Sequence, residues 1–68
     1  MIVHVNGATQ EIDDGATVAT VVQTMNPTPA ARGVAVAVDA EVVPRGQWER
    51  RELHDGARVE ILTAVQGG

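Results

Sequence analysis

This chain has to build its core almost entirely from aliphatic residues, and valine dominates them. In 68 residues it carries no phenylalanine, tyrosine or cysteine and one tryptophan, Trp48. A chain of that length makes a single small domain with a modest core, and such domains are often held by a disulfide or a metal. Disulfides and thiolate metal sites are both excluded by the missing cysteines. His4 and His54 are the only histidines and stand far apart, His4 among apolar residues and His54 beside a turn. Both are read as solvated surface residues, so no metal site is expected. Stability must come from packed aliphatic segments, and the order of those segments decides the fold.

That order is legible. Met1 to Val5 is apolar and β-branched, which predicts a strand. Asn6-Gly7 is the preferred pair for a type I′ hairpin turn, so Ala8 to Ile12 should return antiparallel. Asp13, Asp14 and Gly15 form a loop, with two solvated carboxylates rather than a catalytic pair. Thr17 is positioned as an N-cap whose hydroxyl accepts from a free amide at the helix start. Val18, Val21, Val22 and Met25 then repeat at i, i+3, i+4 and i+7, one face of a helix. Asn26-Pro27 ends it, because proline disfavours helical geometry in the residue before it. Residues 27–33 are read as a loop.

Val34 to Val38 predicts a strand with valine on one face and alanine on the other. Asp39-Ala40 turns into Glu41-Val42-Val43, a strand that Pro44 keeps short or at an edge. A helical turn is expected over 47–51, and a turn at His54-Asp55-Gly56. The last strand runs from Ala57 to about Thr63, with Val59 and Ile61 toward the helix and Leu62 toward water. Hairpin, helix and further strands in that order make an α+β fold of the β-grasp type, with a mixed sheet of four to five strands and one main helix on one face.

The formal charge is −4, from nine acids against five arginines and no lysine. With neither a basic stripe nor an aromatic platform, nucleic acid and anionic membranes are not expected as partners. Met1 to Val5 is too short and too polar at His4 for a signal sequence, and no apolar run approaches membrane-spanning length. A soluble, cytoplasmic protein, monomeric on its own, is expected. No paired acids, nucleophile–base constellation or phosphate loop suggests an enzyme. Trp48 is expected to pack at the sheet margin, while Arg45, Arg50 and Arg51 read as solvated charges.

The chain ends Gly67-Gly68, directly after the strand-like run from Arg58 to Val65. Two residues without Cβ can lie extended in a channel too narrow for side chains. Such an end offers a partner one group, the α-carboxylate of Gly68. Residues 1–63 are therefore read as the domain and 64–68 as a flexible tail. Leu62, with Ala64 and Val65 near the tail, is the candidate partner interface.

Several segments together resemble the ThiS family, the ubiquitin-like sulfur carriers of thiamine biosynthesis. They are Val5-Asn6-Gly7, Gly15-Ala16-Thr17-Val18, Val43-Pro44-Arg45 with Trp48, Leu53-His54-Asp55-Gly56, and Val59-Glu60-Ile61 leading to Gly67-Gly68. The likeness runs over essentially the whole chain, and the Val43 to Trp48 segment is its most specific part. Ala57-Arg58 departs from the family, which often has an aspartate after the glycine. The resemblance implies a carrier and not a catalyst, with no bound cofactor. By that resemblance an activating enzyme related to that of ubiquitin (ThiF type) would adenylate Gly68 with ATP, a sulfur donor would convert it to a thiocarboxylate, and a thiazole synthase (ThiG type) would take the sulfur. Carriers for molybdopterin, tRNA thiolation or cysteine synthesis share the fold and the Gly-Gly end. A ubiquitin-like protein modifier and a binding module with an inert tail are the other readings.

Overall fold

The computed structural model describes residues 1–25 and 33–63. The expected helix end at Asn26-Pro27 and the expected loop up to Arg32 lie outside them. Among the described residues the elements are β1 (Ile2–Val5), β2 (Ala8–Glu11), α1 (Val18–Met25), β3 (Val34–Val38), β4 (Glu41–Val43), a short 3₁₀ turn (Arg45–Gln47) and β5 (Arg58–Thr63). The strands form one sheet in the order β2-β1-β5-β3-β4. β1 and β5 run parallel, with Val5 beside Val59, and every other pairing is antiparallel. First and last strands side by side, with a helix between them in sequence, define the β-grasp.

Both hairpins turn as their sequences suggest. Asn6 and Gly7 have φ of 51° and 85°, and Asp39 and Ala40 have φ of 50° and 69°. Positive φ at both central residues gives the turn a twist that matches the flanking strands. At Ala40 this geometry costs about 1 kcal/mol, because its Cβ crowds the following carbonyl. Asp39 compensates locally. Its amide donates to the Arg58 carbonyl (2.8 Å), and its carboxylate accepts from the Arg58 amide (3.0 Å).

The core lies between α1 and one sheet face. Val18, Val21 and Val22 of the helix meet Val3 and Val5 of β1, Val36 and Val38 of β3, Val43 of β4, and Val59 and Ile61 of β5. Each valine removed from water contributes about 1.5–2 kcal/mol. The alternation in β3 holds: Val36 and Val38 are buried, Ala35 is exposed and Ala37 half-buried. β4 is a three-residue edge strand stopped by Pro44, as expected.

The helix start differs from the reading of Thr17. The Thr17 hydroxyl does not cap an amide; it lies 3.5 Å from the Thr20 hydroxyl, whose oxygen accepts from the Thr17 amide (3.3 Å). The free amides of the first turn are satisfied from a remote segment instead. Val18 N–H donates to the Arg51 carbonyl and Ala19 N–H to the Trp48 carbonyl, both at 3.0 Å. The helical turn expected over 47–51 begins earlier, at Arg45, because Pro44 holds φ at −60° and pre-sets the entry. It closes with the Arg51 amide on the Gln47 carbonyl (2.8 Å). Residues 44–51 thus form a lid on the helix N-terminus. Trp48 fixes it, 6% exposed, with Nε1–H donating to the Val43 carbonyl (2.9 Å). The Arg45 guanidinium lies 5.7 Å from the centroid of that indole, a cation–π contact rather than a purely solvated charge.

Candidate functional site

The last described strand, β5, is the centre of the sheet and runs directly into residues 64–68. Gly67 and Gly68, the expected reactive end, and Ala64 and Val65, two of the three interface candidates, lie outside the described residues. Leu62, the third, is on β5 and 68% exposed, on the sheet face turned away from α1. The alternation of β5 sets this orientation, with Val59 and Ile61 buried on the helix side.

The register shows what surrounds Leu62. Ala35 lies opposite it on β3, and Ala37 lies opposite both Glu60 on β5 and Val42 on β4. Val42 is 73% exposed. Leu62, Ala35, Ala37 and Val42 therefore form an apolar strip across three strands, with the alanines of β3 as its shallow floor. Two large exposed aliphatics joined by such a strip make it a candidate protein-contact surface. Val42 was not identified from the sequence. Its side of the sheet depends on the Asp39-Ala40 hairpin register, although the alternating alanines of β3 carried part of the signal.

The same sheet face turns polar toward β1. A recess of 480 Å³ is lined by His4, Asn6, Gly7, Arg58, Val59 and Glu60. His4, expected to be solvated, is half-buried here, with Arg58 as its register neighbour. Asn6 closes the recess toward the end of β5. Its side-chain Nδ2–H donates to the Ile61 carbonyl (3.1 Å), and its Oδ1 accepts from the Ile61 amide (2.8 Å).

At the opposite end of β5, His54 is exposed as expected but is not simply solvated. Nε2 lies 2.6 Å from the Asp39 carboxylate and Nδ1 lies 2.9 Å from the Asp55 carbonyl. The hydrogen bond to Asp39 raises the His54 pKa above its ordinary value, helped by the Asp55 carbonyl. The same bond, with the Arg58 amide, lowers that of Asp39. No sequence pattern links these two residues; the topology brings their turns together. Arg51 is likewise drawn out of the expected solvated face by Glu41, at 2.8 Å. Among the described residues, no group of histidine and acidic side chains is arranged to hold a metal ion, and no helix is long and apolar enough to cross a membrane.

Fold and site define a ubiquitin-like β-grasp domain in which the C-terminal strand, bordered by an exposed apolar strip, leads out to a Gly-Gly end. The model of the ThiS family matches residues 3–68, and the chain belongs to that family. Two solved structures are similar to it. The crystal structure of a thiamine biosynthesis protein (ThiS) from Geobacter metallireducens is 27% identical, with a TM-score of 0.78 and complete coverage of both chains. A solution structure of a thiamine biosynthesis protein from the same organism is also 27% identical, with a TM-score of 0.77, covering 100% of this chain and 88% of the other. No curated protein shows significant sequence similarity.

Proposed function

We propose that this protein is a sulfur carrier of thiamine biosynthesis and that the α-carboxylate of Gly68 is its functional group. The observation that carries the reading is the family match over residues 3–68, which takes in nearly the whole domain and the Gly-Gly end together. The Geobacter protein of the same fold is named for thiamine biosynthesis, which favours that pathway over the other sulfur carriers.

The chemistry follows from what a carboxylate lacks. It resists nucleophiles until it carries a leaving group. A ubiquitin-activating-like adenylyltransferase of the ThiF type supplies one, as the Gly68 carboxylate attacks the α-phosphorus of ATP and pyrophosphate departs. A persulfide sulfur then displaces AMP from the acyl carbon, and a second thiol cleaves the resulting sulfur–sulfur bond to leave a thiocarboxylate. A thiazole synthase of the ThiG type accepts that sulfur: the acyl carbon–sulfur bond breaks, the oxygen that the sulfur replaces passes to the acyl carbon, and the carboxylate returns. The carrier is a co-substrate in each step and catalyses none, and ATP and the sulfur donor are held by its partners. Residues 64–68 serve as the arm, with Gly67 narrow enough to thread the partner's channel. The strip of Leu62, Ala35, Ala37 and Val42 provides the docking face, and Ala64 and Val65 of the sequence are its further contact candidates.

Deletion of Gly68 tests the reading. The truncated chain should keep the wild-type circular dichroism spectrum and melting temperature, yet support no ATP–pyrophosphate exchange by the activating enzyme. Exchange at the wild-type rate by the truncated chain would overturn the proposal.

A further inference from the structure

We infer that Asn6 is a positioning residue for the reactive end: its carboxamide replaces the strand that β1 stops supplying and fixes the direction in which β5 leaves the sheet. This rests on the reading of Gly68 as the functional group. β5 is a central strand, but its two neighbours end at different places. β3 accompanies it through Thr63, opposite Val34. β1 pairs with it only at His4–Arg58 and Val5–Val59, then turns away at Asn6-Gly7. The β1-side edge of β5 is therefore left without a strand from Ile61 onward, two residues before the last residue of the strand.

The Asn6 side chain occupies that gap. Positive φ turns the backbone off the strand path, and the carboxamide projects along the line that β1 would have followed. An amide is the one side-chain group that copies a peptide unit, with one face donating and the other accepting. Here it uses both on a single residue, donating to the Ile61 carbonyl at 3.1 Å and accepting from the Ile61 amide at 2.8 Å. The ladder continues without interruption, since the Asn6 backbone amide also donates to the Val59 carbonyl (2.9 Å). The turn alone does not demand this residue, because aspartate or glycine also satisfies a type I′ turn. Aspartate offers only acceptors and glycine offers nothing. The choice of asparagine answers to Ile61 as well as to the turn.

A strand held on both edges up to Ile61 gives the following residues one fixed point of departure. Released on one edge, the end of β5 samples more directions, and the partner must then order it before Gly68 meets ATP. Misplacement of a reacting group by about 1 Å can cost up to about a hundredfold in rate.

The test compares Asn6→Gly and Asn6→Asp with wild type in ATP–pyrophosphate exchange with the activating enzyme, and in amide hydrogen exchange. Val43→Ala serves as a control destabilised at the far edge of the sheet. All assays are run well below every melting temperature. In Asn6→Gly, protection of the Ile61 amide should fall about tenfold or more with the loss of both bonds, while Val36 and Val38 keep theirs. Its kcat should fall about five- to tenfold with KM little changed. Asn6→Asp, which keeps the acceptor, should lie between it and wild type, and Val43→Ala should match wild type in kcat. Unchanged kcat in Asn6→Gly despite lost Ile61 protection would overturn the inference, as would retained protection. A loss confined to KM would also overturn it, by moving Asn6 to the docking face. If wild type itself supports no exchange with an enzyme shown to be competent, the reading of Gly68 fails instead, and the two failures are thus distinct.

Discussion

Replacing Trp48 should cost this protein a large share of its stability, and the cost should be felt first at the N-terminus of α1, whose amides donate to the segment around Trp48. The side chain is 6% exposed, and truncating a buried tryptophan to alanine costs about 3–5 kcal/mol. Part of that is the bond from Nε1–H to the Val43 carbonyl at 2.9 Å, worth about 1 kcal/mol net. A smaller part is the Arg45 guanidinium over the ring, about 0.5 kcal/mol at an exposed site. A domain of 68 residues has a total stability of about 3–10 kcal/mol. Trp48→Ala should therefore remove about a third of it or more, and Trp48→Phe about 1–2 kcal/mol, through the lost hydrogen bond and the smaller ring. Urea unfolding followed by far-ultraviolet circular dichroism is the assay, since removing Trp48 removes the fluorophore. The midpoint should fall with the slope unchanged. Amide exchange supplies the structural part: Val18 and Ala19, which donate to the carbonyls of Arg51 and Trp48, should lose protection in Trp48→Ala before the strand amides do. A cost below about 1 kcal/mol, or full protection at Val18 and Ala19, would refute the account of residues 44–51 as a lid held by the indole.

Two further expectations separate docking and charge from folding. Leu62→Asp, at a position 68% exposed, should change stability by no more than about 0.5 kcal/mol, yet lower kcat/KM for activation about tenfold or more if Leu62 anchors the docking strip; wild-type kinetics would remove Leu62 from the interface. The pair of His54 and Asp39 should give a defined pH window. The raised His54 pKa means its contribution is full below its ordinary value of 6.5 and fades as pH rises through the folded-state value; the lowered Asp39 pKa means its contribution is present above 3.8 and fades as pH falls through the folded-state value. Both side chains are substantially exposed, so the effect is modest and screened by salt. The melting-temperature difference between wild type and His54→Gln should be greatest between those limits and shrink on either side, with Arg51 opposing the imidazolium. A difference that stays flat from pH 6 to pH 9 would contradict the assignment.

Local chemistry made most of the fold legible. Asn6-Gly7 specified a turn, the spacing of Val18, Val21 and Val22 specified one helical face, and the alternation from Val34 to Val38 specified two strand faces. Leu62 could be placed on the outer face because its alternation partners Val59 and Ile61 needed burial. What stayed hidden depends on contacts between residues far apart in sequence. The bonds from Asn6 to Ile61 join positions 55 apart, across a parallel pairing whose register no local pattern sets. The helix start was assigned to the Thr17 hydroxyl because a nearby hydroxyl is the common local solution; carbonyls at Trp48 and Arg51 reach the amides first. The polar partners of His54 and Arg51 arise in the same way, from turns and strands that meet only in the assembled sheet.

The sulfur is proposed to ride on the α-carboxylate of Gly68. The most direct measurement incubates the chain with the activating enzyme, ATP and a persulfide donor, adds a thiol-alkylating reagent, and maps the adduct by peptide mass. With no cysteine anywhere in the sequence, one alkyl group is expected, confined to the C-terminal peptide and dependent on ATP. Oxidation of Met1, Met25 or Trp48 leaves no alkylated peptide, so it does not mimic the result. No adduct on the C-terminal peptide, with an enzyme shown to activate another carrier, would contradict the claim.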